Sequence, residues 1–214
     1  RSLLDGGTTV SGTYSIRPDN FNSMTVYCDM VLDGGGWTVF QSRFNGTTNF
    51  YLGIVPYRVG FGTPQANGNF WAGLNNLYYM TYNNDVELHI YLKDFDDVEY
   101  YAYYDTFSVG NFNSDYELTI GGYDQSSTAG DSFYQNGARF SASDHDVDNV
   151  DWDCSFGQKG AWWYDDCTAS NLNGLYYDNP ITAEANGIFW KAAKGNLYSM
   201  KRSIMKLRRK VPVC

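Results

Sequence analysis

Histidine is nearly absent, with two in 214 residues, and none of the four cysteines stands in a C-x-x-C pair, so no zinc cluster of the usual spacing can be assembled. No apolar run approaches the roughly 18 residues of a membrane span. Residue 1 does not begin a basic-then-apolar leader, and the chain reads as a mature product or a fragment. Charged residues make up only 18% of the chain, and 22 glycines and 18% aromatics take the places that Ala, Glu, Lys and Leu hold in long helices. That composition excludes a helical bundle and favours strands and turns. Basic residues are rarest before residue 200, nine against 24 acidic, whereas 201–210 holds six basic residues and no acid. General nucleic-acid binding needs a broad basic face, which this distribution lacks.

What the chain does have is aromatic surface: 19 tyrosines, 13 phenylalanines and six tryptophans, enough to bury the core of one large domain or two small ones. Residues 13–17, 24–30 and 37–43 read as strands, the third following the turn Asp33-Gly34-Gly35-Gly36. In 85–93, Val86, Leu88, Ile90 and Leu92 alternate with Glu87, His89, Tyr91 and Lys93, which predicts a sheet with one covered face and His89 on the wetter one. Residues 98–107 complete a hairpin. Phe70, Trp71, Leu74, Leu77 and Tyr78 fall at near-helical spacing and predict one short amphipathic helix. After Gly121 the pattern gives way to some 60 residues rich in Gly, Ser, Asn and Asp, until a closing strand at 198–209. Long irregular stretches of this kind are usually functional.

The densest chemical signal is Asp144-His145-Asp146-Val147-Asp148-Asn149-Val150-Asp151-Trp152-Asp153, five carboxylates in ten residues. Like charges this close repel unless a cation holds them, and alternating aspartates direct several oxygens inward, as calcium requires. The run lacks the glycine at position six and the glutamate at twelve of an EF-hand, so it is another kind of site. Four cysteines allow three pairings, and structural disulfides place the chain in an oxidising compartment. Asn45-Gly46-Thr47 is a sequon in a glycine turn and fits surface glycosylation. No pair of carboxylates stands out as acid and base for hydrolysis, so the chain is not read as an enzyme.

Several segments together resemble the fibrinogen C-terminal (fibrinogen-related) domain. They are Tyr14-Ser15-Ile16, Val26-Tyr27-Cys28-Asp29-Met30, Gly34-Gly35-Gly36-Trp37-Thr38-Val39-Phe40-Gln41 and Gly60-Phe61-Gly62. Phe140-Ser141, the Asp-x-Asp-x-Asp run, Gly160-Ala161-Trp162-Trp163-Tyr164, Asn171-Leu172-Asn173-Gly174 and Met205-Lys206-Leu207-Arg208 continue the series in the family's order. The resemblance implies a single α+β domain over 1–214, with a central, mainly antiparallel sheet, short helices and a loop-rich C-terminal calcium and ligand lobe. Its subdomains would be 1–43, 44–120 completed by 198–209, and 121–197. It further implies calcium held by Asp146 and Asp148 with the carbonyls of Val150 and Trp152, a disulfide Cys154–Cys167, and a cis peptide bond at Asp166–Cys167. The backbone N–H groups of Cys167 and Thr168 would then face a ligand. Cys28 would pair with a cysteine preceding Arg1, or else with Cys214.

In lectins of that family an acetyl group sits in an aromatic cage beside the calcium. The matching positions here are Gln158, Thr168, Glu184 and Asn196, with Ala185 as the floor; none of the walls is aromatic. Enclosing a methyl is worth about 1–2 kcal/mol, most of which these replacements remove. Asp165, Asp166 and Glu184 give the pocket an acidic rim, which predicts a preference for neutral polyols or cations over carboxylates. Anionic polymers would use Lys201, Arg202, Lys206, Arg208, Arg209 and Lys210 instead. Two functions are carried forward. The first is a secreted, extracellular, calcium-binding lectin-like domain for glycans or microbial cell-wall polymers in innate immunity, closest to the ficolin and tachylectin branch, oligomeric in the full-length protein. The second is a protein-interaction domain of the angiopoietin or tenascin type that engages a receptor.

Overall fold

The computed structural model describes residues 7–19 and 22–210. In chain order the strands are β1 (Gly12–Ile16), β2 (Met24–Asp29), β3 (Trp37–Arg43), β4 (Phe61–Gly62), β5 (Phe70–Trp71), β6 (Val86–Lys93), β7 (Glu99–Val109) and β8 (Leu118–Tyr123). They continue with β9 (Phe140–Ser141), β10 (Trp162–Trp163), β11 (Ser170–Asn171), β12 (Phe189–Trp190) and β13 (Arg202–Arg209). The helices are α1 (Ile54–Val59), α2 (Leu74–Thr81), α3 (Cys154–Gln158) and α4 (Lys191–Lys194). The main sheet is antiparallel and runs β1-β2-β3-β13-β6-β7-β8, with β5 also on β3 and β4 on β5. This is the α+β arrangement expected from the sequence, with the last strand inserted at the centre of the sheet.

The period-2 pattern of β6 does what it predicts on one side. Val86, Leu88, Ile90 and Leu92 are at most 2% exposed and belong to the main core. Rings fill that core: Phe140 lies 5.0 Å from Trp163 and 5.3 Å from Tyr57, and Trp71 lies 5.4 Å from Tyr57. Two of the buried indoles have an acceptor, Trp71 Nε1 donating to the Tyr57 carbonyl and Trp163 Nε1 to that of Tyr116, which offsets the cost of burying their polar ends. Trp162, equally buried, leaves its Nε1 without a partner among the described residues.

Three expectations are corrected. The helix expected to begin near Phe70 begins at Leu74. Phe70 and Trp71 instead pair with Ser42 and Gln41 and with Gly62 and Phe61 as β5, and Gly73, at φ 96°, redirects the chain into α2. The near-helical spacing was thus produced by a strand and a helix in succession. The face that carries Glu87, Tyr91 and Lys93 is the wetter one, but His89 itself is 3% exposed, packed between Trp37 (5.7 Å) and Tyr103 (4.4 Å). Aromatic side chains of β3 and β7 cover the imidazole.

The basic strand is the third correction. Lys201 pairs with Asp97 at 2.8 Å, Lys206 with Asp29 at 2.8 Å, Arg208 with Glu87 at 2.7 Å and Lys210 with Asp85 at 3.1 Å, while Arg202 lies 4.1 Å over the Phe44 ring. Four of the six cations bind the protein's own carboxylates and Arg202 stacks on a ring, so among the described residues the open basic surface that an anionic polymer needs is reduced to exposed Arg209.

Arg43 ties the sheet to the loop lobe. Its fully buried guanidinium donates to the carbonyls of Leu172 (3.1 Å) and Gly174 (2.7 Å) and lies 4.0 Å over the Phe50 ring. Gln41 reaches the same loop, its Nε2 donating to the Leu172 carbonyl at 2.9 Å. Two neighbouring residues of a rigid strand thereby fix the segment that follows the second cysteine of the lobe.

Candidate functional site

The acidic run does not act as one cluster, because its carboxylates have separate tasks. Asp144 accepts the Ile54 N–H at 2.7 Å at the start of α1. A Cβ on Gly53 would push that carboxylate aside, so glycine leaves room for the contact. Asp153 caps α3, accepting the Phe156 N–H at 2.9 Å, as N-cap aspartates do. Asp148 accepts from the Val150 N–H (3.1 Å) with one oxygen and from the Cys154 N–H (3.0 Å) with the other, folding the loop around itself. Asp146 is exposed and Asp148 half-buried.

Among the described residues no group of three or more His, Cys, Asp or Glu side chains converges as a metal cluster. A site of two carboxylates completed by backbone carbonyls has the donor chemistry of calcium without such a cluster. The carbonyls of Val150 and Trp152 accept no hydrogen bond among the described residues. With Asp146 and Asp148 they form an all-oxygen set at alternate positions, so the residues present fit a hard cation.

The loop passes directly into α3, whose first residue, Cys154, is bonded to Cys167 across 13 positions. No peptide bond among the described residues is cis, contrary to the expectation at Asp166–Cys167. The chain turns there through Cys167 itself, at φ 24°, with the Asp165 N–H donating to the Cys167 carbonyl at 2.9 Å. The Cys167 N–H faces the Asp165 carbonyl in the isolated bridge between these two residues, whereas the Thr168 N–H has no acceptor among the described residues. One backbone donor is thus left free beside the turn, without the cis bond that the resemblance implies for aiming it.

One residue that sequence reasoning did not single out joins the two halves. Asn149, inside the acidic loop, donates from Nδ2 to Asp165 Oδ1 at 2.6 Å and so links the loop to the cysteine turn. Gln135 is a second, donating from Nε2 to Thr168 Oγ1 at 3.3 Å, while the Thr168 hydroxyl donates to the Ser170 carbonyl at 2.8 Å. Neither signal is readable in the chain, since Asn and Gln in a polar loop carry no pattern. We expect Asn149→Ala to cost about 1 kcal/mol, the worth of one hydrogen bond, and to weaken ligand binding as well. Urea unfolding beside a binding titration checks this, and a variant with parental binding would show the link to be idle.

The remaining expected pocket residues are arranged around this turn. β11 pairs with β12, and the Lys191 N–H donates to the Ala169 carbonyl at 2.9 Å, which brings the 189–195 segment beside Thr168. Asn196 follows it, exposed; the Thr182 N–H donates to the Leu197 carbonyl at 3.0 Å, which brings 182 alongside. Ala185 is half-buried, and exposed Glu184 accepts from Asn186 Nδ2 at 3.0 Å. Asp166 is exposed with no side-chain partner among the described residues, whereas one oxygen of Asp165 is engaged by Asn149. Gln158 Oε1 is buried without a hydrogen-bond partner. Cys28 is buried, has no disulfide partner among the described residues, and its thiol is pushed up to about 11 by burial. Cys214 lies outside the described residues.

A sheet that carries a disulfide-tied lobe of polar loops is an architecture shared with a known family. The family model for the C-terminal globular domain of fibrinogen beta and gamma chains matches residues 2–210, and the chain belongs to that family. It is 41% identical to Ryncolin-4 of Cerberus rynchops, over 97% of this chain and 60% of that protein. It is 43% identical to Fibrinogen C domain-containing protein 1 of Macaca fascicularis, over 96% of this chain and 48% of that protein. The chain thus spans about half to three-fifths of these relatives. The fibrinogen-like globe domain of human ANGPTL6 superposes with a TM-score of 0.92 at 34% identity, covering 98% of this chain and 93% of that one. A lamprey fibrin D-dimer complexed with the peptide Gly-His-Arg-Pro-amide gives 0.89 at 30% identity, covering 96% and 71%.

Proposed function

We propose that this chain is a non-catalytic, extracellular recognition domain that binds glycans or microbial cell-wall polymers with calcium beside the ligand, in innate defence. The observation that carries the reading is the free Thr168 N–H beside the Cys154–Cys167 bridge, with Asn149 tying that turn to the Asp146–Asp148 loop. Backbone donors suit hydroxyl and carbonyl oxygens, and the surrounding Gln158, Thr168, Glu184, Ala185 and Asn196 offer polar contacts where an aromatic cage is missing. Asp146, Asp148 and the carbonyls of Val150 and Trp152 would hold calcium, which rigidifies the loop and offsets its like charges. Subdomains 1–43, 44–120 with 198–209, and 121–197 remain our division of the domain.

The polar walls favour a second reading, engagement of a protein partner through the same lobe, and the peptide-bound lamprey fibrin supports peptides as ligands for this fold. A binding array of acetylated and plain glycans, cell-wall polymers and peptides separates the two. Glycan binding indifferent to acetylation supports the first, and binding of peptides alone supports the second.

Calcium at about 100 times its Kd should add about 2.7 kcal/mol of stability, read as a rise in Tm over the chelated protein and absent in Asp148→Asn. An unchanged Tm would remove calcium from the account. Asn45 fits a glycosylation acceptor: its Oδ1 takes the Thr47 hydroxyl hydrogen bond at 2.6 Å, which holds the sequon in a turn. Secretion from eukaryotic cells should yield a mass that glycosidase lowers and Asn45→Gln abolishes; equal masses would discard the modification.

A further inference from the structure

A groove of about 700 Å³ crosses the outer face of β6 and β7, on the main sheet and apart from the acidic loop and the cysteine turn. The 3-10 turn Leu32–Gly34 borders it, as do Asp124 and Ser126 after β8. Rings form its floor: His89 and Tyr103 lie 4.4 Å apart, Tyr101 and Tyr103 5.6 Å apart, and Tyr101 is 36% exposed. His89 is 3% exposed, and its Nδ1 has no hydrogen-bond partner. A buried, unsatisfied ring nitrogen in a groove wall is an unfilled bonding position.

The charges around it are unequal. Asp33, Glu87, Glu99 and Asp124 line the groove against Lys206 and Arg208. Both cations are already matched, Arg208 by Glu87 at 2.7 Å and Lys206 by Asp29 at 2.8 Å. Asp33 and Glu99 are held by phenols, Tyr103 Oη donating to Asp33 at 2.5 Å and Tyr91 Oη to Glu99 at 2.7 Å, and Glu99 has only a loose 3.6 Å ion pair with Lys93. Carboxylates in excess over an aromatic floor attract an organic cation through charge and through the ring faces. An anionic ligand would be repelled, and a neutral sugar would leave the excess charge unmatched.

We infer that this groove is a second recognition site, which takes the ammonium or guanidinium group of a lysine- or arginine-bearing segment of a partner polypeptide. It is independent of the loop-lobe site, and failure of either leaves the other standing. The test titrates the whole chain with an acetylated, amidated peptide of alternating glycine and lysine, following the ring resonances of His89 and Tyr101 by NMR. Matched arms use a glycine–glutamate peptide and a neutral trisaccharide. The lysine peptide should shift both rings saturably. Affinity should fall at least fivefold in Tyr101→Ala and in the double variant Glu99→Gln with Asp124→Asn, each retaining the parental Tm. Glu117→Gln with Asp178→Asn, which removes the same charge outside the groove, should bind like the parent. The assignment is overturned by unmoved ring resonances, by equal binding of the glutamate peptide or the trisaccharide, or by an equal loss in the Glu117 and Asp178 variant.

Discussion

Replacing Cys154 and Cys167 together by alanine should lower stability by about 3 kcal/mol and weaken ligand binding more than tenfold. A disulfide that closes a loop of about 15 residues removes roughly that much free energy from the unfolded chain, and this one spans 13 positions. The binding loss has a different origin. Cys154 begins α3 directly after the acidic loop, and its bond to Cys167 holds that loop against the turn beside the free Thr168 N–H. Without the bond, Asn149 to Asp165 is the side-chain link left between loop and turn. Guanidinium unfolding with Cys28 retained measures the first effect, and a titration at a temperature where both proteins are folded measures the second. A loss below about 1 kcal/mol with parental binding would show that the lobe holds its shape without the cross-link.

Acid should destabilise this domain earlier than its carboxylates require. Burial, and next the Lys206 ammonium, push the His89 imidazole down to about 3, against the weaker opposing pull of Asp33 and Asp29. Trp37, Tyr101 and Tyr103 complete its surroundings. The unfolded chain therefore takes up a proton first as pH falls below about 6.5, and stability is complete above that pH and lost progressively toward about 3. Each pH unit in that window is worth about 1.4 kcal/mol, so the loss from pH 6.5 to 4.5 is on the order of 2–3 kcal/mol. For Asp29, burial alone would raise the carboxyl, but Lys206 and the N–H groups of Val31 and Leu32 hold it low. For Asp94, Lys194, the Val98 N–H and the Tyr100 hydroxyl likewise outweigh burial. These carboxylates contribute above their ordinary value of 3.8 and are lost only below it. The interval between pH 4.5 and 6.5 thus separates the His89 imidazole from these carboxylates. His89→Phe, which keeps a ring among rings, should flatten the dependence there. Parallel slopes for parent and variant would place the acid response elsewhere.

His89 also shows where sequence reading stops. Alternation in 85–93 correctly assigned the core side of β6, because apolar residues at period 2 can only be buried together. It could not show that Trp37 and Tyr103, distant in sequence, cover the imidazole on the opposite face. α1 went unread for a related reason: six residues with two valines and a proline carry little helical signal. The Cys154–Cys167 bond and the closing strand were legible because each has a local pattern of residue type, whereas the trans backbone of the cysteine turn was not. Asn149, Gln135 and the pairing of β13's cations with Asp29, Glu87 and Asp97 were not, since they depend on which loops and strands meet.

The central claim is that the oxygen-lined loop and the turn with the free Thr168 N–H form one calcium-dependent recognition site. The measurement that tests it most directly is glycan and cell-wall polymer binding by the parent and Asp148→Asn, each with calcium and with chelator. The account predicts binding by the parent with calcium, loss with chelator, and loss in the variant under both conditions. Carbohydrate binding of equal strength in all four cases, or in none of them, would contradict it.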